Sequence, residues 1–455
     1  MEEFNLLFEF GLSALYFMVI LLWLYFYVIN KKEAEYKYFA WGLVAKLFGG
    51  FCFGLVYMFY YKYGDTFMYY ESAIILKNVF IDDPIYALKL VFNQADYVRA
   101  EDYLYNEFLV NYYRGDDTFT VIKIAGIFSI LGLGGFFTTG MLFSLFAFYG
   151  QWKLYQTFIR RYPFLKFELA LAHFFIPSVV FWGSGIMKDS LVIGLLGLLI
   201  FHLDNLFVLK RITVRNILSI SISAYLIYLL KGYVLLALFP GIFFWVFFSY
   251  SSRIKNSLIR FVIIPVVTIL VLGLSVFSFQ MVESVDSKYG SEELMNQAYI
   301  YQINHFSEEA IEGTTSGYTL GEFDKTFGGM IQKLIPSIVV TLFRPFPWEI
   351  KNLVMALSSL ESLILTGFTL FVLVKMKFKR LTQYIGSDSF IVMGMVFTFI
   401  FAFLVGFSSY NFGALARYKI PCLSFYFSIL FLLISEYKRS QMTSLSFLKT
   451  SSKKR

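Results

Sequence analysis

Four short polar stretches hold the side chains best suited to chemistry. The first runs Gly64-Asp65-Thr66-Phe67-Met68-Tyr69-Tyr70-Glu71-Ser72-Ala73. Its glycine and helix-like spacing set Asp65 at a loop-to-helix junction. A carboxylate there serves as a proton acceptor or simply as a helix N-cap. The second, Pro177 to Ser190, places Ser178, Ser184 and the adjacent Lys188-Asp189 between two apolar runs, Phe167–Phe181 and Leu191–Phe201. These four side chains suit a cavity at a membrane interface; in the plainer alternative Lys188 snorkels and Asp189 caps the next helix. The third stretch, Thr341 to Glu349, wraps two prolines around Arg344 and Trp348 and predicts a rigid interfacial turn. The fourth, Ala416 to Pro421, sets Arg417, Tyr418 and Lys419 before a proline-started helix, an arrangement suited to holding a phosphate. Lipid head groups are the alternative ligand for both basic stretches.

The elements that position these stretches are apolar and long. The 455 residues are 58% hydrophobic and 15% charged, with 56 Phe and 33 Tyr, and mean hydropathy is +0.65. A soluble chain carries about 25% charged residues. The composition fits an all-α, polytopic transmembrane bundle whose helices end in interfacial aromatics. A β-barrel would alternate over strands of about ten residues, whereas the apolar runs here are continuous and longer. With about 20 apolar residues needed per crossing, the chain reads as about eleven spans. They are Leu6–Val28, Tyr38–Phe59, Gly135–Phe158, Phe167–Trp182, Ser190–Val208, Ile217–Leu230, Val234–Ser249, Phe261–Phe279, Leu353–Val374, Phe390–Phe407 and Ile420–Ile434.

Charge orders those spans. Lysines and arginines cluster after Val28, Phe158, Val208, Ser249, Val374 and Ile434, that is, after each odd-numbered span. The positive-inside rule then predicts an outside N-terminus and a cytoplasmic C-terminus in the cytoplasmic (inner) membrane. The net charge of +8 lies in these loops, so nucleic acid is not the expected partner. The acidic Met1-Glu2-Glu3 start predicts no cleaved signal peptide. Residues 1–455 read as one integral membrane domain. A first outer loop covers 60–134 and a second 280–352. Within the first, Asp83-Pro84 opens an amphipathic helix expected to lie on the membrane surface. Cys52 and Cys422 fall in apolar runs and read as free thiols; His173 and Glu361 are ionisable residues inside spans, read as interhelical hydrogen-bonding groups as readily as functional ones.

The order of the polar stretches carries a resemblance. Asp65, Tyr69, Glu71 and Ala73 resemble the Asp-Glu-x-x-Tyr-x-Glu-x-Ala opening of the GT-C superfamily of membrane glycosyltransferases, such as the protein mannosyltransferases and aminoarabinose transferases. Arg417-Tyr418 followed by Pro421 is similar to the Arg-Tyr-x-x-Pro before a late span in many of these enzymes. Thr66 stands where that pattern has an acid, and Asp65 follows the second apolar run rather than the first.

The resemblance implies transfer of a sugar from a polyprenyl-phosphate donor to a glycan, lipid or protein acceptor in cell-surface polysaccharide assembly. Asp65 would be the catalytic base, with Tyr69, Glu71, Lys188, Asp189, Arg344, Arg417, Tyr418 and Lys419 binding substrate. No cofactor is certain. A divalent metal remains open, with Asp65, Asp189 and Glu349 as ligands only if they converge. Two rivals stand beside this reading: a polymerase acting on polyprenyl-diphosphate-linked glycans, and a transporter.

Overall fold

The computed structural model describes residues 5–92, 116–251, 300, 316–322, 324 and 326–452. The expected span Phe261–Phe279 lies outside them. Among the described residues the chain is helical, with one isolated bridge between Gly317 and Asn411 and no strand. Among the described residues seven helices are long and apolar enough to cross a membrane, and an eighth crossing is counted if a bent helix pair forms one span. The chain is therefore a multi-pass helical membrane protein. It divides into two compact units, Met1–Gly232 and Tyr233–Arg455.

In the first unit, α1 is Leu6–Ile29, and α2 is Tyr36–Leu55, prolonged by a π-turn over Val56–Tyr61. Three helices then fill the described parts of the expected first outer loop: α3 Asp65–Asp82, α4 Pro84–Val91 and α5 Asp116–Leu131. Helix α4 begins where the sequence predicts, because Pro84 fits the first turn and the Asp83 carboxylate accepts from Tyr86 N at 3.0 Å. Helix α5 meets α6, Phe136–Arg161, at 112°, so α5 runs across the direction of α6. The Glu9 carboxylate of α1 accepts from the first amides of α6, Phe136 at 3.0 Å and Phe137 at 3.3 Å. An anion suits the positive end of a helix.

The expected span Phe167–Trp182 is not one helix. It breaks into α7, Lys166–Phe174, and α8, Pro177–Trp182. Pro177 lacks the amide a continuous helix would need and keeps Ile176 extended. Helix α9, Lys188–Leu203, follows and ends in a π-turn over Asp204–Val208. Helices α6 and α9 touch backbone to backbone: a Cβ on Gly150 would strike the Gly194 carbonyl, and one on Gly197 would strike that of Gly150. Such small residues let membrane helices approach closely. At the far end of this pair Asp204, 1% exposed, accepts from Arg160 at 2.5 Å and also pairs with Arg161.

The expected spans Ile217–Leu230 and Val234–Ser249 form one long element, α10, Val214–Ser251, with non-helical backbone at Lys231. The unit boundary follows that break by one residue.

The second unit holds α11 Phe327–Gln332, α12 Leu334–Phe343, α13 Leu353–Lys375, α14 Phe378–Ser387, α15 Ser389–Ser408, α16 Phe412–Tyr418 and α17 Ile420–Ser452. Helix α12 is apolar, but its 10 residues extend only about 15 Å, half a bilayer core. It packs on α15, where Thr341 donates to Ala402 O at 2.7 Å and a Cβ on Gly406 would meet Ser337 O. Part of the expected second outer loop is thus a packed helix.

Candidate functional site

The residues expected to act together fall in both units. Asp65, Tyr69, Glu71, Lys188 and Asp189 belong to the first; Arg344, Arg417, Tyr418 and Lys419 belong to the second.

In the first unit Asp65 is the first residue of α3 rather than its cap. Gly64 takes the cap position at φ 129°, a conformation that favours glycine. A carboxylate on that first turn lies near the positive end of the helix. Asp65 is half-buried, Tyr69 is buried and Glu71 is exposed. Tyr70 fixes the helix by donating to Gly134 O at 2.6 Å, and Phe67 stacks on Phe136 at 5.1 Å.

The Lys188-Asp189 dipeptide opens α9, and its two side chains are held by different elements. Lys188 pairs with Asp117 at 2.8 Å and donates to Thr118 Oγ1 at 3.2 Å, both on α5. Asp189, 1% exposed, pairs with Lys231 at the break in α10. The capping role expected of Asp189 goes to Met187, whose backbone is extended. Ser184 donates to Val180 O, and Ser144 donates to Ser184 O at 2.6 Å, so the turn between α8 and α9 is tied to α6. Ser178 is buried.

Sequence reasoning missed Lys231, Lys46 and Glu9. Lys46, 2% exposed within α2, donates to Val179 O at 3.0 Å. The signal was present in each case: an ionisable residue within or between apolar runs, which an apolar environment rarely tolerates without a partner. His173 is fully buried, packed against Tyr155 and Phe158.

In the second unit Arg344 caps the C-terminal end of α12 and points its fork at Glu349. Nε lies 3.0 and 3.1 Å from the two carboxylate oxygens, and Nη2 completes a two-pronged pair. Glu349 also accepts from Phe346 N at 2.7 Å. Tyr318 and Phe412 present their rings to the guanidinium at 5.8 and 5.2 Å. Burial pushes the Tyr318 phenol above its usual range. Trp348, 79% exposed, stacks on Phe346 at 4.9 Å.

Lys419 is fully buried and donates to Ser362 Oγ at 3.2 Å, while Ser362 donates to Arg344 O at 3.0 Å. Burial pushes the Lys419 ammonium below the usual lysine range, and the Glu361 carboxylate works the other way. Arg417 is half-buried and lies over Tyr418 at 5.0 Å. So Arg344 and Lys419 meet through Ser362, with Arg344 committed to Glu349 and Lys419 enclosed.

Comparison with protein-family models, with curated proteins and with solved structures finds no match for the chain.

Among the described residues no three His, Cys, Asp or Glu side chains are grouped to hold a metal ion. Asp189 and Glu349 each face a cation instead. In these two places the arrangement offers charge held in pairs, and Asp65 supplies a carboxylate on the first turn of α3, just after the membrane-length helix Tyr36–Tyr61.

Proposed function

We propose that the chain is a GT-C-like membrane glycosyltransferase. It takes a sugar from a polyprenyl-phosphate donor and passes it to an acceptor at the outer face of the cytoplasmic membrane, in cell-surface glycan assembly. The observation that carries this reading is Asp65, a half-buried carboxylate on the first turn of α3, directly after the membrane-length helix Tyr36–Tyr61. A base for lipid-linked chemistry has to stand at such an interface. Asp65 takes the acceptor hydroxyl proton, the oxygen attacks the anomeric carbon, and the sugar–phosphate bond breaks. The leaving polyprenyl phosphate carries the negative charge, which Arg417 neutralises. Arg344 and Lys419 support the region around Arg417, because their charges are engaged within the protein. The wider reading includes about eleven spans, an outside N-terminus and a cytoplasmic C-terminus, and it rests on the alternating basic clusters.

The test is transfer of labelled sugar from membrane lipid donor, run beside donor binding. Asp65→Asn should lower turnover about 10²–10⁴-fold while donor still binds. Arg417→Ala should weaken donor binding as well. Full turnover in Asp65→Asn with loss only in the arginine variants rejects the base and favours a glycan polymerase.

One observation favours transport as a second reading. A helix broken at Lys231 and a buried Asp189–Lys231 pair are features of transporter substrate or ion paths. Under that reading Lys231→Ala changes uptake or export while glycan assembly stays normal.

A further inference from the structure

Between the membrane-length helices Val354–Lys375 and Ser389–Ser408 lies α14, Phe378–Ser387. It has 10 residues and extends about 15 Å, too short to cross a bilayer core. Its apolar side chains fall at Phe378, Leu381, Tyr384 and Ile385, a spacing that gathers them on one helical face. Phe378 at the edge of that face is 78% exposed. Leu381, Tyr384 and Ile385 are half-buried. Flanking Phe378 are Lys375, Lys377, Lys379 and Arg380, all exposed, none of them in an ion pair with a described carboxylate.

The neighbouring helix adds to this charge. The Phe371 and Tyr437 rings meet at 6.0 Å, which brings the end of α13 level with Lys438 and Arg439 of α17. The carboxylates that face α14 are Glu436 and Asp388, both near Tyr384. Six cations therefore stand against two carboxylates along 375–388 and 436–439. An apolar face one helix-width from a surplus of lysine and arginine, at the end of membrane-length helices, is the arrangement of an interfacial helix.

We infer that α14 and its flanking cations form a docking surface for anionic phospholipid, with Phe378 set into the acyl boundary and Lys375, Lys377, Lys379 and Arg380 against the head groups. Positive charge close to an anionic leaflet strengthens the contact about fivefold per cation, and salt weakens it. The inference stands whether the chain transfers sugar or moves solute, because it involves no residue of the proposed site.

The experiment reconstitutes the full chain in phosphatidylcholine vesicles containing 30% phosphatidylglycerol (about the anionic share that gives a clear signal). Spin-labelled phosphatidylglycerol and phosphatidylcholine then report relative association by electron paramagnetic resonance. Wild type should prefer phosphatidylglycerol, less so at high salt. Combining Lys375→Gln, Lys377→Gln, Lys379→Gln and Arg380→Gln should cut that preference at least about threefold, as expected for lost head-group attraction. Replacing the three lysines with arginine should keep it, and both variants should bind phosphatidylcholine as wild type does. Phe378→Ser should lower association of both lipids near the helix while leaving the salt dependence. An unchanged preference in the neutralised variant overturns the inference and leaves this face to an acidic protein.

Discussion

The two units hold charge inside apolar surroundings in different ways. In the first, the pairs join segments far apart in sequence: Lys188 with Asp117, and Asp189 with Lys231. In the second, Arg344 and Glu349 are five residues apart on one turn, both partly exposed. A remote pair fixes how helices meet, most of all where it is dry, as Asp189–Lys231 is. A local pair fixes the shape of a turn and leaves the helices free to be held by packing. The first unit should therefore depend on its charges for assembly, and the second on contacts such as α12 with α15.

The largest expected effect tests the remote pair. Asp189→Ala leaves Lys231 buried opposite no carboxylate at that position, and should destabilise the chain by about 3–5 kcal/mol. Combining Asp189→Leu with Lys231→Met should recover most of the loss, since an apolar pair carries no desolvation penalty. Unfolding in mild detergent reads both. A loss under about 1 kcal/mol for Asp189→Ala, the scale of a solvent-exposed pair, would erase the contrast between the units.

An intermediate effect tests the local pair. Arg344→Lys keeps the charge but replaces a planar fork with a point donor, so it should destabilise by about 1–2 kcal/mol. Arg344→Ala should exceed it only modestly, because Glu349 is 17% exposed and water can reach its carboxylate. If Arg344→Ala matched Asp189→Ala, the local pair would be as essential as the remote one.

The smallest effect sharpens the comparison at an exposed pair in the first unit. Glu35 accepts from Lys166 at 2.7 Å, with the lysine 36% exposed. Burial pushes the Glu35 carboxyl up, but the Lys166 hydrogen bond and charge outweigh it and hold the group below its usual range. A depressed carboxyl contributes stability above its unfolded value and loses it as pH falls through the folded value. Glu35→Gln should thus cost about 0.5 kcal/mol at neutral pH. Below the folded value wild type and variant should converge, as pH-dependent unfolding would show.

Much of this was open to reading in the chain. Seven of the described apolar runs appear as separate helices near their expected places, because length and hydropathy alone set them. The Asp83-Pro84 helix start is local chemistry and was legible for the same reason. Asp65 was placed correctly at a helix opening, although Gly64 takes the cap. The run Phe167–Trp182 misled because hydropathy does not register that Pro177 lacks an amide. Lys231 falls between the expected spans Ile217–Leu230 and Val234–Ser249, where no local pattern names a partner 42 residues away.

The sequence by itself determined class: continuous apolar runs demand helices in a bilayer. It also determined which turns carry charge. Only the tertiary structure decided what each charge faces. Lys188 turns to α5, Asp189 to α10, and the enclosed Lys419 donates to Ser362 of α13. The reason is physical. A helix forms from contacts within a few residues, but a buried charge is tolerated only where a distant segment delivers its counter-charge or hydrogen-bonding partner, and that delivery depends on how the helices pack.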